Sequence, residues 1–479
     1  MKINNGLPFP ILFILVLIGA VGHSGCANII PPTGGPRDTI PPVLVSSVPK
    51  DSVKRFTEKK IILNFNEYID GKDIRTELLV NPVPKIDPIV DAKLRVVTIR
   101  LKDTPQAHTT YSLQFGKGIK DVNEGNILKN FTYVFSTGDT IDRGELEGEV
   151  IIANTGRPDS TLVAILHASF DDSAVIKDRP RYIARLDSTG RFHFRYVKPG
   201  KYALYALKDE GGSHKYLSKA QLFAFAEGPV IVGETGTAQT LYAYAEIAET
   251  KKSGTTGTTG TTPPPPKKPK KEDTRLQVTT NAGNGQFDVL DTFRLSFSSG
   301  LKVFDSVQLR FTNEDFQDID GKQYRWIRDS TERIVTLQYA WPTDVRYHII
   351  IPRTFGQDSL GRKLLQDDTI SFHTKKDIDY GEVLVRVKNL STTLNPVLQF
   401  VQADKVKYSF PFNSRGIVRK LLFPPGEYEL RILYDINHNG VWDPGSFFGG
   451  AKKQPEKVIT IRKKFNIKAN WDNDWDTTL

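Results

Sequence analysis

The chain has 479 residues and carries 65 Lys and Arg against 55 Asp and Glu, which gives a net charge of +10. Its single cysteine excludes an intramolecular disulfide, so the domains must be stable through packing alone. Its single methionine is Met1, so the cores must be built from Val, Ile, Leu, Phe and Tyr, which favour strands. No motif of interleaved basic and aromatic residues indicates nucleic-acid binding.

The amino terminus has the layout of a secretory signal that ends at Cys26. Residues 12–21 are an apolar run that is too short for a stable transmembrane helix. Lipoprotein signals place a small residue before an acylated cysteine, as in Ser24-Gly25-Cys26, although His23 stands where an apolar residue is usual. We predict that residues 1–25 are a signal peptide and that Cys26 is lipidated. The alternative is an ordinary buried cysteine in a secreted protein.

Two stretches have the composition of linkers. Residues 26–40 are rich in Pro and Gly and are predicted to form a stalk beside the lipid anchor. Residues 248–275 combine a Gly-Thr repeat, four consecutive prolines and six lysines, which predicts an extended spacer. The excess positive charge indicates either a solvated tether or contact with an anionic surface. We expect this spacer to be protease-sensitive and to separate two independently folded halves.

The halves on either side of the spacer resemble each other. Several identities share an offset of 226 residues, and others, upstream of these, share an offset of 237 residues. The first set pairs Gly190 with Gly416, Pro199 with Pro425, Gly200 with Gly426, Tyr202 with Tyr428 and Asp209 with Asp435, and the second pairs Asp121 with Asp358 and Phe135 with Phe372. The chain is therefore predicted to be a two-domain module, a spacer and the module again.

Short β-branched or alternating runs, with turn signals every 8–12 residues, predict β-sandwiches throughout. The fold class is therefore all-β, with tandem sandwiches in a duplicated two-domain module. The predicted domains lie at residues 41–140, 141–247, 276–377 and 378–470, and residues 471–479 are predicted to be an acidic aromatic tail, either a docking peptide or a disordered end.

Several segments carry a resemblance to known families. Asp38 with Pro41-Pro42, the strand Ile61–Asn66, and Asp121–Asn126 followed by Phe135 resemble the bacterial Ig-like domain of the SbsA type. Together with the sequence after Cys26, the chain resembles the Ig-like-domain lipoproteins of the Bacteroidota. The Gly…Pro-Gly-x-Tyr-x-Leu pattern of the second domain in each module is similar to prealbumin-like or carboxypeptidase-regulatory-like sandwiches. These resemblances imply structural or binding roles rather than catalysis.

One loop carries identifiable chemistry. Asp435, Asn437, Asn439 and Asp443 stand at positions 1, 3, 5 and 9 of an EF-hand-type loop, with Gly440 at position 6. The carbonyl of Val441 would serve position 7, but position 12 is Ser446 rather than a bidentate Glu. The sequence therefore leaves open weak Ca²⁺ binding or a plain Asx-turn. The corresponding loop after Asp209 lacks the pattern, so we expect a site in the second copy only.

No catalytic constellation stands out, because the eight histidines are scattered and no nucleotide-binding or hydrolase motif is present. We interpret Glu145 and Glu382 as domain-junction features and the five tryptophans as packing residues. The sequence predicts a non-catalytic envelope protein, lipid-anchored to the outer membrane and facing the periplasm, that acts as a scaffold or recognition module beside an envelope protein partner. The alternatives are a glycan-binding accessory to a hydrolase or a hydrolase itself.

Overall fold

The computed structural model describes residues 37–233, 238–247 and 275–479, and the regular secondary structure within them is almost entirely strand. The all-β prediction is confirmed. Cys26, the signal peptide and nearly all of the stalk and spacer lie outside the described residues. Within those residues, no helix is long and apolar enough to cross a membrane.

The first Ig-like domain packs two sheets, with strand orders β1-β2-β6-β5 and β4-β7-β9, and a short β3-β8 pair. Its elements are β1 Leu44–Val48, β2 Lys60–Phe65, β3 Ile69–Asp70, α1 Ile74–Glu77, β4 Leu79–Asn81, β5 Ile89–Lys93, β6 Val96–Arg100, β7 Thr110–Gln114, β8 Lys120–Asp121 and β9 Thr132–Ser136. Alternation in β2 sends Ile61, Leu63 and Phe65 into the core, where aromatic residues of β7 and β9 meet them.

The first sandwich follows with two sheets. One has the order β11-β10-β14 with β18 parallel to β10, and the other has the order β13-β12-β15-β16 with β17 also on β15. Its elements are β10 Gly144–Ile152, β11 Arg157–Pro158, β12 Leu162–His167, α2 Ala174–Lys177, β13 Tyr182–Arg185, β14 Arg191–Val197, β15 Gly200–Lys208, β16 Phe223–Phe225, β17 Val230–Val232 and β18 Gln239–Ala243.

The second Ig-like domain repeats the strand order of the first with one added strand, β20, and has sheets β19-β21-β25-β24 and β20-β28-β26-β23 and a β22-β27 pair. Its strands are β19 Val278–Thr280, β20 Gln286–Phe287, β21 Phe293–Phe297, β22 Leu301–Phe304, β23 Arg310–Thr312, β24 Arg325–Arg328, β25 Ile334–Gln338, β26 Arg346–Ile351, β27 Gly356–Asp358 and β28 Asp368–Thr374. Single 3₁₀ turns lie at Gly283–Gly285, Ser306–Gln308 and Asp377–Asp379.

The second sandwich has the orders β32-β29-β35 and β31-β30-β33-β34. Its elements are β29 Gly381–Lys388, a 3₁₀ turn Thr392–Leu394, β30 Pro396–Gln402, β31 Lys405–Pro411, β32 Ile417–Phe423, β33 Gly426–Tyr434, β34 Val458–Ile467 and β35 Asp472–Thr478. Strands β32 and β33 lie 226 residues after β14 and β15, so the duplication predicted from the sequence is confirmed in the fold.

The carboxy-terminal segment corrects one prediction. Residues 471–479 were expected to be a docking peptide or a disordered end, but Asp472–Thr478 form β35, which pairs in parallel with β29 along its whole length. It occupies the place that β18 holds in the first sandwich. Arg386 on β29 holds Asp474 and Asp476, at 3.0 and 2.7 Å, so the acidic residues are ion-paired across strands.

The halves are also not independent. The chain forms two compact units, Met1–Ile141 and Asp142–Leu479, so the first sandwich belongs to the same unit as the entire second half. The sequence could not show this, because the aromatic residues that join the two sandwiches have the composition of an ordinary core.

Candidate functional site

The loop that connects β33 to β34 begins with a buried aspartate. Asp435, only 2% exposed, accepts hydrogen bonds from the backbone N–H groups of Asn439 at 3.2 Å and Gly440 at 2.7 Å. Gly440 has φ +76°, a left-handed conformation that favours glycine, and it allows the chain to turn back over the carboxylate. The turn therefore forms as the sequence predicts.

The structure brings four of the five predicted ligand residues together. Asp443 accepts hydrogen bonds from the side-chain amides of Asn439, at 2.8 Å, and Asn437. The amide oxygen of Asn439 in turn accepts the N–H of Val441 at 2.7 Å. The side chain of Val441 is exposed, so this residue could contribute only through its carbonyl group.

These contacts form the Asx-turn network that is the alternative to a cation site. For an oxygen-coordinated cation, the amide groups of Asn437 and Asn439 would have to turn so that their oxygens, not their nitrogens, face Asp443. Either amide can do so by rotating about a single side-chain torsion.

Glu456, at the end of the excursion before β34, is the residue that sequence reasoning missed. It is 1% exposed, and its two carboxylate oxygens accept the backbone N–H groups of Ile436 at 2.9 Å and Asp443 at 3.0 Å. Ser446, at the EF-hand position for a bidentate ligand, instead pairs with Lys453 in a hairpin. The only sequence signal for Glu456 is an acidic residue just before a strand, which is too common to identify a site.

The loop concentrates negative charge. Among the described residues, none of Asp435, Asp443 and Glu456 has an ion pair, although two of them are almost completely buried. Buried carboxylates are costly without a compensating cation or several hydrogen bonds. The donor set, three carboxylates and two amides, has the hard-oxygen chemistry that Ca²⁺ requires.

The equivalent aspartate in the first sandwich contacts a histidine instead. Asp209 accepts the N–H groups of Ser213 and His214, both at 3.1 Å, and its carboxylate also contacts the ring of His214. Burial alone would raise the pKa of Asp209, but the hydrogen bond and charge of His214 lower it. The two copies therefore satisfy the same buried aspartate in different ways.

The two glutamates at the domain junctions form cross-strand pairs. Glu382 pairs with Arg419 on the neighbouring β32, and at the matching place Glu145 lies 3.1 Å from Nε2 of His193. Glu147, 3.4 Å from the same nitrogen, completes the one cluster of at least three His, Cys, Asp or Glu side chains in the described parts of the chain with metal-like spacing.

This cluster is better explained as a hydrogen-bonded cross-strand position than as a metal centre. Arg195 donates to Nδ1 of His193 at 3.2 Å, so the ring proton lies on Nε2 and is donated to Glu145. A metal ion at Nε2 would need that proton on Nδ1, facing the arginine. His193 thus stands where the second sandwich has Arg419, and it donates to Glu145 as Arg419 donates to Glu382.

Four of the five tryptophans pack as predicted. Trp326 and Trp341 lie against the core of the second Ig-like domain, Trp475 against that of the second sandwich, and Trp442 against a small cluster beside it. Trp471 alone is exposed, at 62%. One exposed tryptophan does not make the aromatic platform that a glycan-binding face would require.

A groove of about 290 Å³ lies at one end of the first Ig-like domain. Its lining combines three prolines with Val83, Ile86 and Leu101, and Lys85, Lys102 and Asp103 stand at its rim. None of the residues predicted as sites from the sequence lies in it.

Comparison with known proteins gives a fold assignment for one domain. No curated protein matches the chain. Solved structures with similar domains include native alpha-2-macroglobulin from Escherichia coli (12% identity, 39% of this chain and 72% of that chain, TM-score 0.20). The TIE protein of Bacillus anthracis (12%, 93% and 75%, TM-score 0.17) and BcpA, the major pilin subunit of Bacillus cereus (10%, 71% and 99%, TM-score 0.17), are further examples. TM-scores of this size support no conclusion about function. Residues 38–137, which contain every strand of the first Ig-like domain, match the family described as the bacterial Ig-like domain.

Proposed function

We propose that this chain is a lipid-anchored, non-catalytic envelope protein that acts as a scaffold or recognition module in an outer-membrane assembly, facing the periplasm. The observation that carries the proposal is the sole cysteine, which follows Ser24-Gly25 at the end of a signal-like segment and precedes a bacterial Ig-like domain. Two or more acyl chains would hold the protein stably on a bilayer. Four successive sandwiches would then present their surfaces to an envelope protein partner.

Fractionation of cells that express Cys26→Ser tests the anchor. The variant is expected in the soluble fraction and without incorporated fatty acid, whereas wild type should sediment with membranes and carry label. Ser24→Ala, which keeps a small residue near the cysteine, is the matched control and should behave like wild type. Equal membrane association of Cys26→Ser and wild type would overturn the anchor.

We further propose that the loop Asp435–Asp443 binds Ca²⁺ weakly, with Glu456 as an additional carboxylate. The support is the burial of Asp435 and Glu456 without an ion pair among the described residues, in contrast to Asp209, which has His214. When bound, Ca²⁺ would supply charge compensation and stiffen the loop. The chain's own residues provide the oxygen donors and, through Gly440, the sharp turn.

A further inference from the structure

The excursion between Asp443 and Glu456 packs on the first sandwich rather than on its own domain. Its hairpin places Phe447, 3% exposed, among Tyr205, Phe223 and Phe225, with ring centroids 5.6, 5.1 and 5.0 Å away. Phe447 is not part of the core of the second sandwich. We call residues 444–455 the latch.

Polar groups surround this aromatic contact. The N–H of Phe447 donates to Glu246 at 3.2 Å, and Glu246 also binds Lys219 at 3.0 Å. At the edge, Lys452 of the latch lies 2.5 Å from Asp172 of the first sandwich. A buried aromatic anchor with a polar rim is the anatomy of a specific protein–protein interface.

A second strip of contacts joins the strands beside the latch. The N–H of Val458 on β34 donates to the carbonyl of Ala153 at 3.0 Å, and the hydroxyl of Thr460 donates to the backbone carbonyl of Thr155 at 2.8 Å. Arg157 binds Asp404 at 3.2 Å and also Glu429, which is buried. The two sandwiches thus meet along two separate strips.

The latch has a fixed base. Glu456 accepts the N–H of Asp443 and donates its own N–H to the carbonyl of Asp443 at 3.1 Å, which closes the neck of the excursion. Trp442 donates to the carbonyl of Glu456 at 2.8 Å and packs beside Val458. The hairpin is therefore held in position by its own domain, while its tip contacts the other.

We propose that this contact is a self-standing docking interface, in which the surface around Tyr205 recognises a Phe-Phe hairpin carried on a sandwich of this same chain. The interface holds the two halves together without any covalent link through residues 248–274. Cutting the chain there leaves a tight two-fragment complex, and the complex depends on Phe447.

The test uses the full chain with Cys26→Ser and a protease recognition sequence placed within residues 248–274. After cleavage, the fragments are expected to elute together at micromolar concentration. Phe447→Ala should weaken their association by about 100-fold or more, since truncating a buried Phe typically has an effect of that size. Phe316→Ala, which removes an exposed ring in the same fragment, is the matched control and should leave association unchanged.

The ion pair between Lys452 and Asp172, at the rim of the contact, supplies a second test. Lys452→Asp should weaken association by about five- to tenfold, and adding Asp172→Lys should restore it, because both groups are partly exposed and outside either core. Circular dichroism would show whether Phe447→Ala prevents folding of its fragment. In that case the charge exchange between Lys452 and Asp172 would test the proposal. Separation of the wild-type fragments, or equal association of Phe447→Ala and wild type, would overturn the proposal.

Discussion

Phe447 of the second sandwich stands with its ring centroid 5.0 Å from that of Phe225 in the first, so the two copies of a duplicated domain share one aromatic cluster. The corresponding loop of the first copy, residues 209–222, is shorter than residues 435–457 of the second, and Asp209 contacts His214 within it. The duplication has therefore diverged into a hairpin on one copy and a receptive surface on the other.

Calcium binding should depend on the buried carboxylates of the second copy. At a Kd on the order of 10⁻⁴ to 10⁻³ M and about 1 mM Ca²⁺, binding would stabilise the second sandwich by about 0.4 to 1.4 kcal/mol. Calorimetry and thermal unfolding of the intact chain should show this effect in wild type and lose it in Asp435→Ala and Glu456→Gln.

Asp209→Ala is the matched control, because it removes the equivalent carboxylate from the copy that has His214. It is expected to lower stability but to leave the Ca²⁺ response intact. Absence of both heat and thermal shift at about 10 mM Ca²⁺, well above the expected Kd, would leave the loop as an Asx-turn only.

Gly416 should tolerate substitution poorly. It has φ +72°, and a Cβ atom there would lie 2.4 Å from the carbonyl oxygen of Val387. We expect Gly416→Ala to lower the free energy of unfolding of the second sandwich by about 2–4 kcal/mol, from left-handed strain together with the clash. Gly361→Ala, at φ +74° with open space around it, should cost only about 1 kcal/mol. Denaturant-dependent amide exchange within each domain measures the loss of unfolding free energy in each variant. Equal losses in the two variants would contradict the steric argument.

Asp358 in the second Ig-like domain should titrate well below an ordinary aspartate. Burial alone would raise its pKa, but backbone N–H groups and the side chains of Arg362 and Ser299 lower it to about 2. The stabilisation is therefore present above the unfolded-state pKa near 3.8 and is lost as the pH falls toward about 2. Carboxyl NMR titration measures the value directly, and Arg362→Gln should move it upward.

His167 should make the first sandwich sensitive to mild acid. Burial lowers the pKa of this imidazole from 6.5 to about 4, an effect that nearby Asp178 only partly offsets. Between these two pH values the unfolded chain binds a proton that the folded domain does not, so stability falls as the pH drops from about 6.5 to about 4. The protection factors of the amides in β12 and β15 should fall over this range in wild type. The dependence should be reduced in His167→Gln, and an unchanged profile in that variant would exclude His167 as the cause.

The sequence was sufficient for the fold class and the duplication, because alternation and repeated turn residues such as Gly190 and Gly416 are local signals. It misjudged β35, because Asp472, Asp474 and Asp476 argue against a strand when read alone. In the structure they lie on an edge strand, where charge is tolerated and where Arg386 compensates two of them. Pairing with a strand about 90 residues earlier is a tertiary effect that no local pattern carries.

The sequence likewise predicted only part of the candidate site. Asp435 to Asp443 follow a compact spacing that a linear motif can capture. Glu456 joins this site only because the latch brings the chain back beside Asp443. There the N–H of Glu456 donates to the carbonyl of Asp443 at 3.1 Å. A closing residue beyond a hairpin of variable length has no fixed spacing, so sequence reasoning could not place it.

The contact between Glu246 and Phe447 also sets the distance between the two sandwiches. Because it fixes the separation of the two sandwiches, the number of residues between 247 and 275 does not determine how far apart they lie. Added residues in that stretch would lengthen the connection without changing the distance between the two sandwiches. The spacer is thus free to change in length and composition while the geometry of the paired sandwiches stays constant.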